Sequence, residues 1–307
     1  MRFSQEVEHL LSQVPPGRVT TFRALAVALG DPRAAIAVYR HLARERTSGW
    51  HRVVRVDGSV PSEEAIPRLE SEGVEVQGDA VSDIARFLLQ AFRSDRPLAR
   101  LREEQRRLAE RIEMEDRLEG PTTVAGFDVS YRKSQAYGVA VLLDWETRKV
   151  LDTVRVQRAV DFPYISTYLA YREFDVIERC YDRFKERPSL LLIDGNGTLH
   201  PERFGVACYV GLRLDRPTVG VAKSLLLGRP DRETLEPGAS CPVRVDGETA
   251  GHALRTGKGK PVYVSPGHRV SLETALRFVR HLARTRIPEP LRLADREAAR
   301  FRREKTG

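Results

Sequence analysis

Apolar residues recur at helical spacing through the first third of the chain and gather into strand-length runs beyond it. Val7, Leu10, Leu11 and Val14 fall on one helix face, which Pro15-Pro16-Gly17 ends. Val19 to Phe22 is short and extended. Thr21 is placed to cap a helix that buries Leu25, Ala26 and Leu29 and closes at Gly30. Asp31-Pro32 opens the next helix, slim at Ala34, Ala35 and Ala37 and basic at Tyr39, Arg40, His41 and Arg44. Two short helices about a tight glycine turn, the second basic, predict a helix-turn-helix reader of DNA. Val81 to Phe92 predicts an amphipathic helix carrying Ile84, Phe87, Leu88 and Ala91. After a break at Arg93 to Pro97 comes another, with Leu98, Leu101, Leu108 and Ile112 spaced for packing on a domain.

Beyond that break the period changes from helix to strand. Val124 to Tyr131, Ala136 to Leu143 and Val150 to Gln157 read as strands, the last two joined as a hairpin through Trp145-Glu146-Thr147-Arg148. A helix from about Ser166 to Lys185 leads to the apolar run Leu190-Leu191-Leu192-Ile193, which stops at Asp194. Thr218 to Ala222 is a further short strand, followed by Lys223. The expectation is an α/β protein with a domain boundary near Ser94 to Pro97, giving domains 1–95 and 96–307.

Composition narrows the class. The 307 residues suffice for two cores, and 41% hydrophobic with 31% charged residues is the make-up of a folded soluble chain. A net charge of +8 raises the expectation of a polyanionic partner. Cys180, Cys208 and Cys241 have neither disulfide-framework nor zinc spacing. No apolar run spans a bilayer and no apolar signal core follows Arg2, so a reduced, cytoplasmic protein with no membrane partner is expected.

The carboxylates carry the chemistry. In a sheet of three strands, a helix and a fourth strand, the first and fourth commonly lie side by side, as in a ribonuclease H-like fold. Asp128 and Asp194 then face each other, a costly pairing that a divalent cation relieves. Glu173, one turn into the helix, and Asp295, near the C-terminus, are placed to join them. With no competing His/Cys set, Mg2+ or Mn2+ is the fitting ion. Each acid alone reads as a surface or capping group. Together they leave polymerase, integrase, resolvase and nuclease chemistries open.

The motif order separates these. Ala125-Gly126-Phe127-Asp128-Val129-Ser130-Tyr131, Phe162-Pro163-Tyr164-Ile165, Arg172-Glu173 and Asp194-Gly195-Asn196-Gly197 resemble the endonuclease V family. So do His200-Pro201, Pro217 to Lys223, Val264 to His268 and Arg292-Leu293-Ala294-Asp295, across about Leu98 to Phe301. The resemblance implies a ribonuclease H-like mixed sheet flanked by helices. It implies an endodeoxyribonuclease of the deoxyribonuclease V class, which recognises deaminated bases, chiefly hypoxanthine, and nicks at the second phosphodiester bond on the 3′ side. By the same resemblance Asp128 and Asp194 hold Mg2+, with Mn2+ as substitute, and Glu173 and Asp295 complete the site. Lys223 neutralises charge on the phosphate, and His200 positions the phosphate or a water. Tyr164 enters the duplex as a wedge; Leu169, Gly195, Gly197 and Leu226 line the pocket for the extruded base. Ser166-Thr167 stand where the family has Pro-Gly, and Glu202 where it has Arg.

Residues 16 to 22, Leu29-Gly30-Asp31-Pro32, Ala34-Ala35, Trp50-His51-Arg52-Val53-Val54 and Glu72-Gly73-Val74 resemble the DNA-binding domain of alkylguanine-DNA alkyltransferases, a small, mainly helical fold of winged helix-turn-helix type. Trp50 replaces the acceptor cysteine, as in the alkyltransferase-like proteins, and indole is no nucleophile, so alkyl transfer is excluded. Ile36 stands where the family inserts an arginine, and Phe22 where it has a tyrosine. The expected partner is DNA with deaminated bases, alkylated bases being open to the first domain. Two further readings remain: a nuclease for inosine in RNA, and a non-catalytic lesion sensor that recruits other factors. All four acids and Lys223 weigh against the last.

Overall fold

The structure is a computed structural model and describes residues 1–118 and 120–305. The chain divides into two compact units: Met1–Glu103 with Asp161–Ser166, and Glu104–Val160 with everything from Thr167 onward.

The first unit holds α1 (Phe3–Leu11), β1 (Thr20–Thr21), α2 (Phe22–Leu29), α3 (Ala35–Glu45), β2 (Val53–Val54), α4 (Ile66–Ser71), β3 (Val76–Gln77), β4 (Ala80–Val81), α5 (Ile84–Phe87) and the start of α6 (Pro97–Ala109). Local chemistry sets the helix ends. Thr21 Oγ1 accepts from the Ala24 N–H at 3.0 Å, and Gly30 closes α2 at φ +101°, a conformation that favours glycine. Asp31 accepts from the Arg33 N–H at 2.9 Å and opens a 3-10 turn that runs into α3. Asp31 is buried and pairs with Arg33 at 2.7 Å and with Arg102. Val19, Val54, Val60, Leu69, Val74 and Phe87 make the core.

Two expectations fail here. The helix expected from Val81 to Phe92 is one turn, Ile84–Phe87. The chain beyond it is extended because Val19 takes its backbone: Val19 N–H donates to Phe87 O, and Leu89 N–H to Val19 O. His41 is not on the basic face of α3. It is buried, its ring edge-on to Phe3 at 6.1 Å.

The second unit contains β5 (Thr123–Arg132), β6 (Gln135–Asp144), β7 (Val150–Ala159), α7 (Leu169–Asp182), β8 (Leu190–Asp194), α8 (Val206–Leu214), β9 (Thr218–Ala222), β10 (Arg229–Pro230), β11 (Ser240–Val245), β12 (Glu248–Leu254), β13 (Val262–His268), α9 (Leu272–Leu282) and α10 (Glu289–Glu304). Among the described residues these strands form one mixed sheet, ordered β10-β11-β12-β13-β9-β8-β5-β6-β7. β8 runs parallel to β5 and β9; the other pairings are antiparallel. Its unbroken apolar run suits a central strand covered on both faces. One core joins Val124, Leu190, Leu192, Val219 and Val221 to α9 and α10. The other joins Ala125, Phe127, Leu191 and Ile193 to α7 and α8. The two sets alternate along each strand, so helices cover both faces. No helix of the described residues is long and apolar enough to cross a membrane.

Candidate active site

Strand alternation decides which acids meet. β5 pairs with β8 through Phe127 and Ile193, so Asp128 and Asp194 are the next residues of neighbouring strands. Both continue the even-numbered positions that face α10 (Val124 and Gly126; Leu190 and Leu192). Lys223 follows the end of β9 on the same parity as Val219 and Val221. Gly126 lets α10 come close: a Cβ there would lie 2.3 Å from the Pro290 carbonyl carbon. That approach brings Asp295 to the strand ends.

Carboxylate oxygens of Asp128, Asp194 and Asp295 lie within 4.8 Å of one another. Lys223 Nζ stands among them, 2.6 Å from Asp194 and 3.0 Å from Asp295. Burial first, then the neighbouring Asp194, push Asp128 up to about 7. Burial alone would pull Lys223 down, but Asp194, Asp295 and Asp128 raise it above its usual value. Three hard oxygen donors in mutual repulsion, one of them largely buried, fit a divalent cation.

Glu173 is outside this trio because it comes from α7, on the opposite face of the sheet. It is buried and accepts from the Tyr131 hydroxyl at 3.1 Å. Burial pushes it up to about 8; the Tyr131 hydrogen bond opposes that, and Asp128 and Asp194 add to it. Arg172 lies over the Tyr131 ring at 3.9 Å. Sequence reasoning used Tyr131 only as a motif letter. Its place three residues after Asp128, with opposite parity, was the available signal.

His200 is buried, with both ring nitrogens engaged. Its Nδ1 accepts from the Glu202 N–H at 3.2 Å, so Nε2 carries the proton and donates to Thr167 O at 3.0 Å. Gln105 Nε2 donates to the same carbonyl at 2.8 Å. These two bonds hold Thr167 at φ +76°, an unusual conformation for a β-branched residue. Glu202 is paired with Arg106 at 2.8 Å.

The glycines of the 195–197 loop serve internal packing. A Cβ on Gly197 would lie 1.9 Å from Pro266 O; one on Gly195 would meet Val206 at 2.5 Å and Leu169 at 3.7 Å. Leu225 and Leu227 pack on the cluster beneath β11 and β12, while Leu226 between them is half-buried outside it. Tyr164 belongs to the first unit, with its side chain 59% exposed.

In the first unit Phe22, Tyr39, Leu42, Ala43, Arg46 and Trp50, with Pro61 and Ser62, line a pocket of about 220 Å³. Arg46 lies over the Trp50 ring at 4.5 Å, and Phe22 meets Tyr39 edge-on at 5.3 Å. His51 and Arg52 face elsewhere. His51 Nε2 sits 2.9 Å from Glu72, and Arg52 donates to Glu72 at 2.7 Å and to Val14 O at 2.8 Å. Burial would raise Glu72, but Arg52, His51 and the Gly17 N–H hold it at about 2. Ile36 projects from α3 with 64% of its surface exposed, so it is not a core residue.

The chain matches the family profile described as Endonuclease V over residues 106–296, and that of the 6-O-methylguanine DNA methyltransferase DNA-binding domain over residues 2–79. A bifunctional methyltransferase/endonuclease of Picrophilus torridus is 35% identical over 96% of this chain and 95% of its own. Endonuclease V of Thermus thermophilus is 43% identical over 64% of this chain and 89% of its own. Among solved structures, Streptomyces avermitilis endonuclease V superposes with a TM-score of 0.64 at 34% identity, covering 68% of this chain and 94% of that one. Ciona intestinalis endonuclease V, bound to a DNA 24mer with an inosine followed by a ribo-adenosine, gives a TM-score of 0.62 at 29% identity, covering 68% and 99%.

Proposed function

The chain belongs to the endonuclease V family, and from that premise we propose how its residues divide the work of a DNA-repair nuclease with an N-terminal alkyltransferase-like DNA-binding domain. The substrate is duplex DNA containing hypoxanthine, and the cut falls at the second phosphodiester bond on its 3′ side. The observation that carries this reading is the convergence of Asp128, Asp194 and Asp295 on Lys223.

Asp128 and Asp194 hold the cation, Mg2+ with Mn2+ as substitute, and Asp295 closes the set. Bound there, the ion supplies Lewis acidity toward water and toward the scissile phosphate. Lys223, already balanced between two carboxylates, turns its charge to the phosphate as the leaving oxygen becomes anionic. Glu173, steadied by Tyr131, completes the site from α7, as a further ligand or by orienting water. His200 acts through the loop it braces rather than by touching phosphate, since both ring nitrogens are engaged. Tyr164 opens the strand, and Leu169, Leu226 and the Gly195–Gly197 loop receive the extruded base.

Residues 1–95 act as a binding module and 96–307 as the nuclease. The pocket lined by Trp50 accepts a base against aromatic and cationic walls, with no alkyl transfer because indole cannot attack. A second reading is cleavage beside inosine in RNA, favoured by the ribo-adenosine in the DNA bound to the Ciona relative.

The test is cleavage of a hypoxanthine duplex with Mg2+ or Mn2+. Asp128→Ala and Asp194→Ala should each lower the rate roughly a thousandfold. Wild-type protein that leaves the duplex whole overturns the proposal, and preferential cutting of the matched RNA selects the second reading.

A further inference from the structure

Helix α1 starts with Arg2 at its N-cap position, and Arg2 makes no capping hydrogen bond. The acceptor comes from far along the chain. Asp161 Oδ1 accepts from Ser4 Oγ at 2.7 Å, and Oδ2 from the Ser4 backbone N–H at 3.4 Å. A carboxylate over the first turn satisfies an otherwise unpaired donor and complements the positive end of the helix. His41 of α3 packs edge-on against Phe3 of α1 at 6.1 Å. The whole segment Asp161–Ser166 groups with the first unit. Phe162 and Ile165 are buried, and Tyr164 between them is exposed.

We propose that Asp161 is a positioning residue for Tyr164: by capping α1 it fixes the strand-opening segment to the alkyltransferase-like unit, so that cutting in duplex DNA depends on a contact made in the DNA-binding unit. The inference rests on Tyr164 being the strand-opening residue. The geometry is that of a loop with its base clamped, its flanks buried and one aromatic presented. Holding the base fixes where the ring stands, and a ring already in place costs less to insert between bases.

The experiment uses the full chain with Ser4→Ala, Asp161→Ala, Asp161→Asn, Tyr164→Ala and the Ser4→Ala/Tyr164→Ala double variant. Each is assayed on hypoxanthine in a duplex and on the same strand alone, which needs no opening. Ser4→Ala and Asp161→Ala should lower duplex kcat/KM about fivefold, the scale of one lost helix cap, and leave single-strand cutting within about twofold. Asp161→Asn keeps a capping oxygen and should restore most of the duplex rate. Ser4→Ala should add nothing to Tyr164→Ala, because both act through one element. Hydrogen exchange of residues 162–166 should rise in Ser4→Ala and Asp161→Ala whether or not the protein cuts. Equal exchange in wild type and Ser4→Ala overturns the clamp. Faster exchange with unchanged duplex cutting overturns the positioning role. A Tyr164→Ala variant with an unchanged duplex-to-single-strand ratio overturns the parent reading of Tyr164, an outcome the exchange data keep separate from the clamp itself.

Discussion

Asp128 and Glu173 are held against their ionised forms, and this makes the protein's stability depend on pH. Burial and Asp194 take Asp128 from 3.8 to about 7; burial, against the Tyr131 hydroxyl, takes Glu173 from 4.5 to about 8. Both folded values lie above the unfolded ones. The stability they contribute is therefore full below about pH 4 and is lost as pH rises through about 7 to 8. Metal-free protein should melt at a lower temperature near pH 8.5 than near pH 6, and Mg2+ should raise Tm more at the higher pH, where the carboxylates are free to bind it. Calorimetry at both pH values checks this, and Asp128→Asn should flatten the difference. An equal Tm at both pH values in the metal-free wild type would show that these acids are not strained. Asp128 and Asp194 were legible from sequence because each interrupts or ends an apolar run. Tyr131 and the capping role of Asp161 were not, since each gains its meaning from a partner 42 or 157 positions away.

At the scale of elements, α10 is the part whose seat matters most to the site, because it brings Asp295 to the strand ends. A methyl group at Gly126 would collide with the Pro290 backbone, and backbone cannot step aside as a side chain can. Gly126→Ala should cost about 1–3 kcal/mol in denaturant unfolding, as overpacking does, and should weaken Mg2+ binding by displacing Asp295. Full metal affinity in a destabilised Gly126→Ala protein would mean that Asp295 is dispensable to the ion. Elements with local start and stop signals were readable: Thr21, Gly30 and Asp31 fix their helix ends by bonds spanning two to four residues. The hairpin of β6 and β7 followed from two strand-length runs with a short connection, and the pairing of β5 with β8 from the order of three strands, a helix and a fourth strand. The helical spacing of residues 88–92 is outweighed by the backbone bonds that Phe87 and Leu89 make to Val19, which no local pattern records. β10, β11 and β12 have no strand signal in the sequence; segments such as Ser240–Val245, with Pro242 and Arg244 inside, carry too little apolar pattern.

Across the whole molecule the charge is unevenly shared. The first unit carries 15 basic residues, all arginine, against 15 acidic ones; taking these from totals of 51 and 43 leaves 36 against 28, so the net +8 belongs to the second unit. Salt-sensitive attraction to DNA should therefore come mainly from the nuclease unit. Replacing the exposed Arg40 and Arg44 of α3 by alanine should lower the slope of log Kobs against log salt by about two and leave most of it. Filter binding or anisotropy over a salt series measures this, and a slope that collapses in the double variant would move the electrostatic footing to the first unit. The discontinuity of the first unit has a further effect, on synthesis. Its N-terminal part ends at Glu103, yet the residue that caps α1 is Asp161. A ribosome adding 5–20 residues per second needs roughly 3–12 s to make the intervening stretch. During that interval the nascent first unit must stand with one helix uncapped, so the order of translation makes its completion wait for the first three strands of the nuclease sheet.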